Sequence, residues 1–164
     1  MVYFTRLAVE SDIPSITTIY NQGIEDRIAT LEIESKTIEE RKKWLTQREE
    51  RFKVLVIHDE KDTVYGWASL NVFNGRCCYS GVADLSIYIE RSMRGKGLGK
   101  QLMKALIETA KNNGFHKLVL STFSFNHQGI KLYTSVGFRI VGTYEKHGIL
   151  DGNWVDVTIM EKLL

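Results

Sequence analysis

The chain has 164 residues, the length of one ordinary domain, and 43% of them are hydrophobic, which is enough to form a substantial core. The formal net charge is only +2, so the protein as a whole does not carry the charge of a nucleic-acid or other polyanion binder, and any positive field has to be local. No linker, repeat or low-complexity segment divides the chain, and we expect a single domain over residues 1–164.

The first half of the chain predicts strands and helices in alternation. Residues 1–10 lack the apolar run of a signal peptide or membrane span, so we expect a cytoplasmic protein without a membrane partner. A strand over residues 3–8 is followed by a helix that Ser11 caps and Gly23 ends. A charged second helix opens with the capping-box pair Thr37 and Glu40. Apolar, β-branched runs then predict strands over residues 53–59, 63–72 and 82–90.

The second half continues the alternation. A glycine-rich loop leads into a long amphipathic helix, for which Gly114 is a good residue to follow the C-terminus. A strand over 116–122, a short helix over 126–136 and two closing strands over 137–145 and 152–164 complete the chain. The long helix should connect two parallel strands by a crossover. The pattern predicts an α/β domain with a mixed sheet.

The glycine-rich loop is the most informative segment. RSMRGKGLGKQL, residues 91–102, places three glycines at alternate positions among basic residues at a helix start. Cations are disfavoured there, because the helix dipole leaves partial positive charge at the N-terminus. An anion on the exposed N–H groups explains both features, since glycine allows close approach and the cations attract negative charge. The alternative is a glycine-rich turn that carries solvated charge.

Two other phosphate-binding motifs do not fit this loop. A Walker loop needs four residues between its first glycine and the Gly-Lys pair, whereas Gly95 and Gly99 enclose three. It also needs serine or threonine next, where Gln101 stands. A dinucleotide fingerprint requires glycine at the position of Lys100. Both motifs are therefore excluded.

Residues 94–99, RGKGLG, resemble the Q/R-x-x-G-x-G/A pyrophosphate loop of the GNAT N-acetyltransferase superfamily. The surroundings agree: a strand before, a long helix after, then a strand, an asparagine and LYTSVGF, which resembles the superfamily's L-Y-x-x-x-G-F. The resemblance covers essentially the whole chain. It implies a mixed, mostly antiparallel central sheet with about four flanking helices, and acetyl-coenzyme A (acetyl-CoA) as co-substrate.

Three segments resemble the phosphinothricin acetyltransferase-like subfamily more closely. ATLEIES, residues 29–35, resembles A-T-F-x-x-E-P, with departures at Leu31 and Ser35. RCCYSGVADLSIYI, residues 76–89, resembles R-x-A-Y-x-x-x-A-E-x-S-I-Y-I, with Asp84 in place of glutamate. DGNWVDV, at 151–157, resembles the closing G-x-W-x-D-V.

Acetyl transfer from a thioester to an amine needs a base, stabilisation of the oxyanion and a donor for the thiolate. Asp84 is the candidate base, because strand alternation puts it on one face with Val82, Ser86 and Tyr88, where burial would raise its pKa. The alternative is an aspartate paired with an arginine inside the fold. The resemblance implies that Tyr133 is the acid toward the thiolate; alternatively it packs its helix onto the sheet.

The resemblance also implies the coenzyme contacts. Asn126 resembles the asparagine that touches coenzyme A, although an asparagine there also suits a plain helix N-cap. The expected coenzyme-binding residues come from one strand, the glycine loop and the region after it: Leu85, Ser86, Ile87, Tyr88, Ile89, Arg94, Gly95, Lys96, Gly97, Leu98, Gly99, Lys100, Asn126 and Tyr133.

Arg76 is the candidate for binding the acceptor, because a guanidinium holds a carboxylate through two hydrogen bonds; the alternative is an exposed loop arginine. By resemblance, Thr30, Glu34, Tyr79 and Trp154 line the same pocket. Residues 73–79 contain no acid, which favours an anionic or zwitterionic acceptor over a polyamine.

The sequence thus predicts an acetyl-CoA-dependent N-acetyltransferase that acts by direct transfer on the primary amine of a small amino-acid-like substrate, of the phosphinothricin or methionine sulfoximine type. The alternatives are a protein N-terminus, a lysine or a polyamine as acceptor, or a non-catalytic acyl-CoA-binding module. The resemblance implies a homodimer. No metal site or nucleic-acid partner is expected, and the adjacent Cys77 and Cys78 should be reduced thiols.

Overall fold

A seven-stranded sheet with four α-helices makes up the computed structural model of the chain, which describes residues 1–164. The strands are β1 (Phe4–Leu7), β2 (Val54–His58), β3 (Val64–Val72), β4 (Val82–Ile89), β5 (Lys117–Phe123), β6 (Arg139–Leu150) and β7 (Asn153–Leu163). The helices are α1 (Ile13–Glu25), α2 (Ile38–Thr46), α3 (Leu98–Asn112) and α4 (His127–Ser135). None of these helices is both long enough and apolar enough to cross a membrane.

The strand order is β1-β2-β3-β4-β5-β7-β6, and only β4 and β5 run parallel. This confirms the expected mixed, mostly antiparallel sheet and the crossover through α3. The parallel pairing is short, since it joins only residues 82–84 of β4 to residues 117–119 of β5. Beyond Asp84 the two strands separate, and the edge of β4 that faces β5 has no strand partner.

Helices cover both faces of the sheet and bury a core on each. The larger core packs α3, through Leu102, Met103 and Leu106, against β2 to β5. The smaller core packs isoleucines of α1 against Val56 and Trp67. Both cores pack helices directly on the sheet. Because packed cores are rigid, they hold β4 and β5, and the opening between them, in fixed positions.

The start and the end of α1 differ from the prediction. The helix follows a short 3-10 turn, and Asp12 rather than Ser11 occupies the N-cap position. Asp12 is buried and accepts hydrogen bonds from Arg6 and from the Val9 N–H, which holds the turn in place. Gly23 does not end the helix, because its role is packing: a Cβ there would lie 2.7 Å from the ring of Tyr88.

The capping box at the start of α2 and the end of α3 are confirmed. Thr37 Oγ1 accepts from the Glu40 N–H and Glu40 accepts from the Thr37 N–H, each at 3.2 Å. Gly114 follows α3 with a φ of 83°. β6 extends beyond the predicted residues 137–145 as far as Leu150, because two irregularities in register let it stay paired with β7.

Candidate active site

Two adjoining cavities lie where β4 and β5 separate. The larger, of about 420 Å³, is lined by residues of β3, β4, β5, α1 and α2, and it includes Asp84. The smaller, of about 210 Å³, lies between the glycine loop and α4. Ile87, Tyr88, Asn126 and Tyr133 line both cavities, so the two form one continuous site with two arms. We call them the acceptor arm and the loop arm.

The loop arm ends in free backbone donors. None of the backbone N–H groups of residues 95–100 donates to an acceptor within the protein. Gly95 and Gly97 have φ angles of 77° and 87°, a left-handed conformation that favours glycine, and α3 begins directly afterwards at Leu98. This arrangement combines consecutive N–H groups with the positive end of a helix dipole, which suits an anion.

The basic residues of the loop divide into two kinds. Lys96 and Lys100 are exposed and form no ion pair within the protein. Arg94 is instead held against α1, with its Nη1 2.6 Å from Asp26 Oδ2 and its Nε donating to the Ile89 carbonyl. The ion pair ties the loop to α1, so Arg94 positions the loop and is not a free cation.

Asp84 lies at the last position of β4 that pairs with β5, and it lines the acceptor arm. Burial raises the pKa of its carboxyl group to about 6, and the Asn71 amide and the Leu85 N–H only partly offset this rise. No arginine or lysine pairs with it. The alternative of an internal Asp–Arg ion pair is therefore wrong, and the carboxyl group is one that gains and loses a proton near neutral pH.

Tyr133 lies on α4 at the junction of the two arms. Its ring packs edge-on against Phe138, with ring centroids 6.2 Å apart, while burial raises the pKa of its hydroxyl to about 12. The phenol is thus neutral at physiological pH and carries a proton to donate. The position of Tyr133 thus combines packing with access to the site, and its role as the acid toward the thiolate stays a prediction.

Asn126 also combines two features. Its Oδ1 accepts from the Gly129 N–H at 3.0 Å and caps α4, and its Nδ2 donates to Thr122 at 3.1 Å. The same residue lines both arms of the site. Capping α4 therefore fixes this side chain at the wall of the junction.

Most of the expected coenzyme contacts line the site, but not all. Leu98 is buried in the larger core and Lys96 is exposed, and neither side chain lines a cavity. The remaining expected coenzyme residues do line one arm or both: Leu85, Ser86, Ile87, Tyr88, Ile89, Arg94, Gly95, Gly97, Gly99, Lys100, Asn126 and Tyr133.

The predicted acceptor residues are brought together only in part. Thr30 lines the acceptor arm, whereas Glu34, Arg76, Tyr79 and Trp154 are exposed and line neither arm of the site. Physically, the loop of residues 73–80 projects from the end of β3 and is exposed throughout, which carries Arg76 away from the cavity of its own chain. The acceptor-binding roles of these four residues stay predictions.

Several residues of the acceptor arm were not predicted: Tyr20, Glu32, Arg41, Trp44, Trp67, Ser69, Asn71, Leu120, Ser121 and Thr122. Trp67 and Tyr88 stack with centroids 4.9 Å apart, and the Tyr20 hydroxyl donates to Glu32 at 2.6 Å. A signal for two of them was present in α2, where Arg41 and Trp44 are three residues apart and so share a helix face.

Comparison with known proteins finds similarity to acetyltransferases over nearly the whole chain. Residues 5–159 match the family model described as the acetyltransferase (GNAT) domain. An L-methionine sulfoximine/L-methionine sulfone acetyltransferase of Pseudomonas aeruginosa is 33% identical over 157 residues, which are 95% of this chain and 91% of that protein.

Solved structures agree in fold over nearly the full length. The structure of a GNAT superfamily phosphinothricin acetyltransferase from Sinorhizobium meliloti in complex with AcCoA has a TM-score of 0.92 at 29% identity, covering 100% of this chain and 89% of that one. The structure of a ribosomal-protein-alanine N-acetyltransferase from Brucella melitensis has a TM-score of 0.94 at 33% identity, covering 98% and 99%.

Proposed function

The chain belongs to the GNAT acetyltransferase family, with acetyl-CoA as co-substrate, and on this premise we propose that it acetylates the primary amine of a small amino-acid-like acceptor by direct transfer. The observation that carries the proposal is the junction of the two arms. There a titratable carboxyl group, a neutral phenol and the unpaired edge of β4 line one continuous cavity.

The loop arm would hold the diphosphate of the co-substrate. Six consecutive free N–H groups at the start of α3 match a polyphosphate, and the exposed Lys96 and Lys100 add positive charge. The unpaired edge of β4 from Leu85 onward offers further backbone groups to the pantetheine arm. The thioester carbonyl then comes to the junction, where the acceptor arm begins.

Asp84 serves as the general base. An ammonium group has no lone pair, so the acceptor has to lose a proton before its nitrogen attacks the thioester carbon. With a pKa near 6, Asp84 is mostly a carboxylate at neutral pH and can take that proton directly or through one water. As the new C–N bond forms and the C–S bond breaks, the electron pair of the C–S bond stays on sulfur.

Tyr133 stabilises the departing sulfur. Its hydroxyl remains protonated at neutral pH, so it can donate a hydrogen bond to the thiolate. Full transfer of its proton to a thiolate is uphill, because a thiol has a pKa of about 8.5. We therefore assign Tyr133 the role of hydrogen-bond donor to the thiolate. Coenzyme A leaves as the thiolate and takes its proton from solvent, and Asp84 returns the proton of the amine to solvent.

The amino-acid-like acceptor is supported by the relative from Pseudomonas aeruginosa and by the size of the acceptor arm, about 420 Å³, which suits a small molecule. Of the five residues predicted to contact the acceptor, Thr30 is the one that lines this arm. A protein N-terminus is the second candidate, because the Brucella melitensis relative of similar identity is named for a ribosomal-protein alanine.

Release of coenzyme A thiol from acetyl-CoA with a panel of amines tests the proposal. The panel contains L-methionine sulfone, phosphinothricin, common amino acids, a peptide with N-terminal alanine and spermidine. We expect turnover with amino acids to exceed turnover with the peptide and the polyamine. If the protein binds acetyl-CoA in a calorimeter but no amine releases thiol, it is a binding module and the proposal is wrong.

We also propose that the chain forms a homodimer through the hairpin of β6 and β7. This hairpin exposes several large apolar side chains, each at least 50% exposed in the isolated chain. They include Ile140, Val141, Tyr144, Ile149 and Trp154. β6 is an edge strand of 12 residues, and a long apolar edge is a surface that proteins normally cover.

A further inference from the structure

Arg41 is a buried cation in the acceptor arm. It lies on α2, lines the same cavity as Asp84 and is only 7% exposed. It also lies in the first turns of the helix, where the dipole disfavours positive charge. Burying a cation in such a place costs free energy unless partners compensate for the lost water.

Three aromatic rings surround the guanidinium of Arg41. Its central carbon lies 3.8 Å from the ring centroid of Trp44, 4.4 Å from that of Tyr20 and 5.1 Å from that of Trp67. Such contacts stabilise the charge and fix the plane of the group. They do not engage its N–H bonds, which lie in that plane and point outward from its edge.

The edge of the guanidinium has no acceptor. Nε and Nη2 of Arg41 are buried and have no hydrogen-bond partner. The neighbouring Arg48 shows the usual outcome: it lies against the same Trp44 ring, but donates to the carbonyls of Phe52 and Leu70 and to Asn71 Oδ1. The fold thus supplies hydrogen-bond acceptors to the partly buried Arg48, which follows α2, and none to the buried Arg41.

The two carboxyl groups of the acceptor arm do not supply the missing partner. Glu32 accepts the Tyr20 hydroxyl at 2.6 Å and pairs with Lys36 at 3.5 Å. Asp84 is next to Asn71 and forms no ion pair. A desolvated guanidinium with unpaired donors, on a residue that lines a cavity, is suited to a planar anion, because a carboxylate accepts two parallel N–H bonds.

We propose that Arg41 binds the carboxylate of the acceptor amino acid and so determines the acceptor class. The inference rests on the proposed function, since it assigns a residue to the acceptor of that reaction. Asp84 and Arg41 line the same cavity, and the proposal directs the amine of the acceptor toward Asp84 and its carboxylate toward Arg41. The aromatic rings around Arg41 already hold a cation, which disfavours a polyamine at this position.

The test compares acceptors that differ only in the carboxylate. Initial rates are measured for L-methionine sulfone and for its carboxamide, with wild-type protein, Arg41→Met, Arg41→Lys and the control Arg51→Met. Arg51 is a matched control, because its guanidinium also stacks on a ring, that of Phe115 at 4.1 Å, but does not line the site. Acetyl-CoA affinity and the thermal midpoint are recorded for every variant.

We expect Arg41→Met to raise the KM of the acid by about thirtyfold or more, which is the effect of removing one partner of a buried charged hydrogen bond. The KM of the carboxamide should change by less than about threefold, and Arg51→Met should leave both values unchanged. Arg41→Lys keeps the charge without the planar fork, so its KM for the acid should lie between those of wild type and Arg41→Met. If Arg41→Met does not fold, Arg41→Lys supplies the test.

The outcomes separate the inference from the proposed function. Equal effects of Arg41→Met on acid and carboxamide, or no effect on either, would overturn the inference while the acetyltransferase activity stands. A fall in thermal midpoint with equal loss for both acceptors would show a structural role and would overturn it as well. Absence of turnover with every amine in wild-type protein would overturn the proposed function, and the inference with it.

Discussion

At the scale of single residues, the burial of Asp84 determines what the site can do. A carboxyl group in the cavity, with no cation beside it, has a pKa of about 6 instead of 3.8. The same burial that suits it to the proposed role of base at neutral pH disfavours its charged form in the folded protein. Catalytic competence and stability are therefore opposed at this position.

Asp84→Asn should make the protein more stable and less active. Because the folded-state pKa is raised, the folding contribution of Asp84 is fully favourable below its unfolded pKa, near 4, and is lost as the pH rises through about 6. At pH 8 we expect the variant to exceed wild type by on the order of 2 kcal/mol in unfolding free energy, a difference that should vanish toward pH 4.

Urea unfolding at pH 4, 6 and 8 measures this difference, and thiol release measures activity. Loss of the base should lower kcat by about a hundredfold or more. The wild-type rate should also fall as the pH drops below about 6, as Asp84 becomes protonated. Full activity in the variant would remove Asp84 from the mechanism and leave the amine to lose its proton to water.

At the scale of elements, the loop that precedes α3 carries most of the proposed diphosphate site. Its glycines allow a left-handed turn that leaves the backbone donors free, and Arg94 fastens the turn to α1 through Asp26. Elsewhere on the helix the backbone groups are paired in the usual ladder. The proposed contacts of α3 with the ligand are therefore limited to its first turn, while its buried face packs in the larger core.

Gly97→Ala should weaken acetyl-CoA binding without unfolding the protein. At a φ of 87° an L side chain is strained by about 1–2 kcal/mol, although a Cβ there meets no atom within 4 Å. Relief of that strain would rotate the N–H groups away from the ligand. Gly114→Ala is the matched control, because Gly114 has a φ of 83° and equally open space at the other end of α3.

Calorimetric titration with acetyl-CoA distinguishes the two alanine variants. Both should lose a similar amount of stability in urea. Only Gly97→Ala should lose affinity, by about tenfold or more for the loss of one charge-assisted hydrogen bond. Equal affinities in the two variants would show that the loop backbone does not bind the diphosphate.

Among the elements, those that depend on neighbouring residues could be predicted from the sequence. The glycine loop, the capping box at Thr37 and the strand of Asp84 are local signals, since each depends on residues within a few positions, and all three are present as expected. The acceptor arm is different. Arg41 and Trp67 meet there only because α2 packs across the sheet. The sequence of α2 shows that Arg41 shares a helix face with Trp44, but not that this face is buried.

Gly23 and Arg76 show in a related way how far residue type alone can be read. Gly23 has the chemistry of a helix stop, but its position is required by the ring of Tyr88, a residue 65 positions away that only the folded chain brings close. Arg76 has the chemistry of a carboxylate ligand, but the loop that carries it is exposed. At Gly23 tertiary packing, and not residue type, decides the role, while the role of Arg76 stays a prediction.

At the scale of the whole molecule, the sheet has two very different edges. β1 is a strand of four residues, whereas β6 has 12 residues and projects a row of apolar side chains. The isolated chain exposes 9119 Å², while a compact monomer of this size should expose about 8300 Å². The excess of about 800 Å² matches the area that each partner contributes to an ordinary interface.

Light scattering after gel filtration should therefore give the mass of two chains at micromolar concentration. Replacing Val141 and Ile149 on β6 by glutamate places charge on the proposed interface and should give a folded monomer. Leu7→Glu, which alters a half-exposed leucine on the opposite edge strand β1, should leave the dimer intact. A single-chain mass for wild-type protein at the same concentration would contradict the homodimer, and the apolar face of β6 would then need a different partner to cover it.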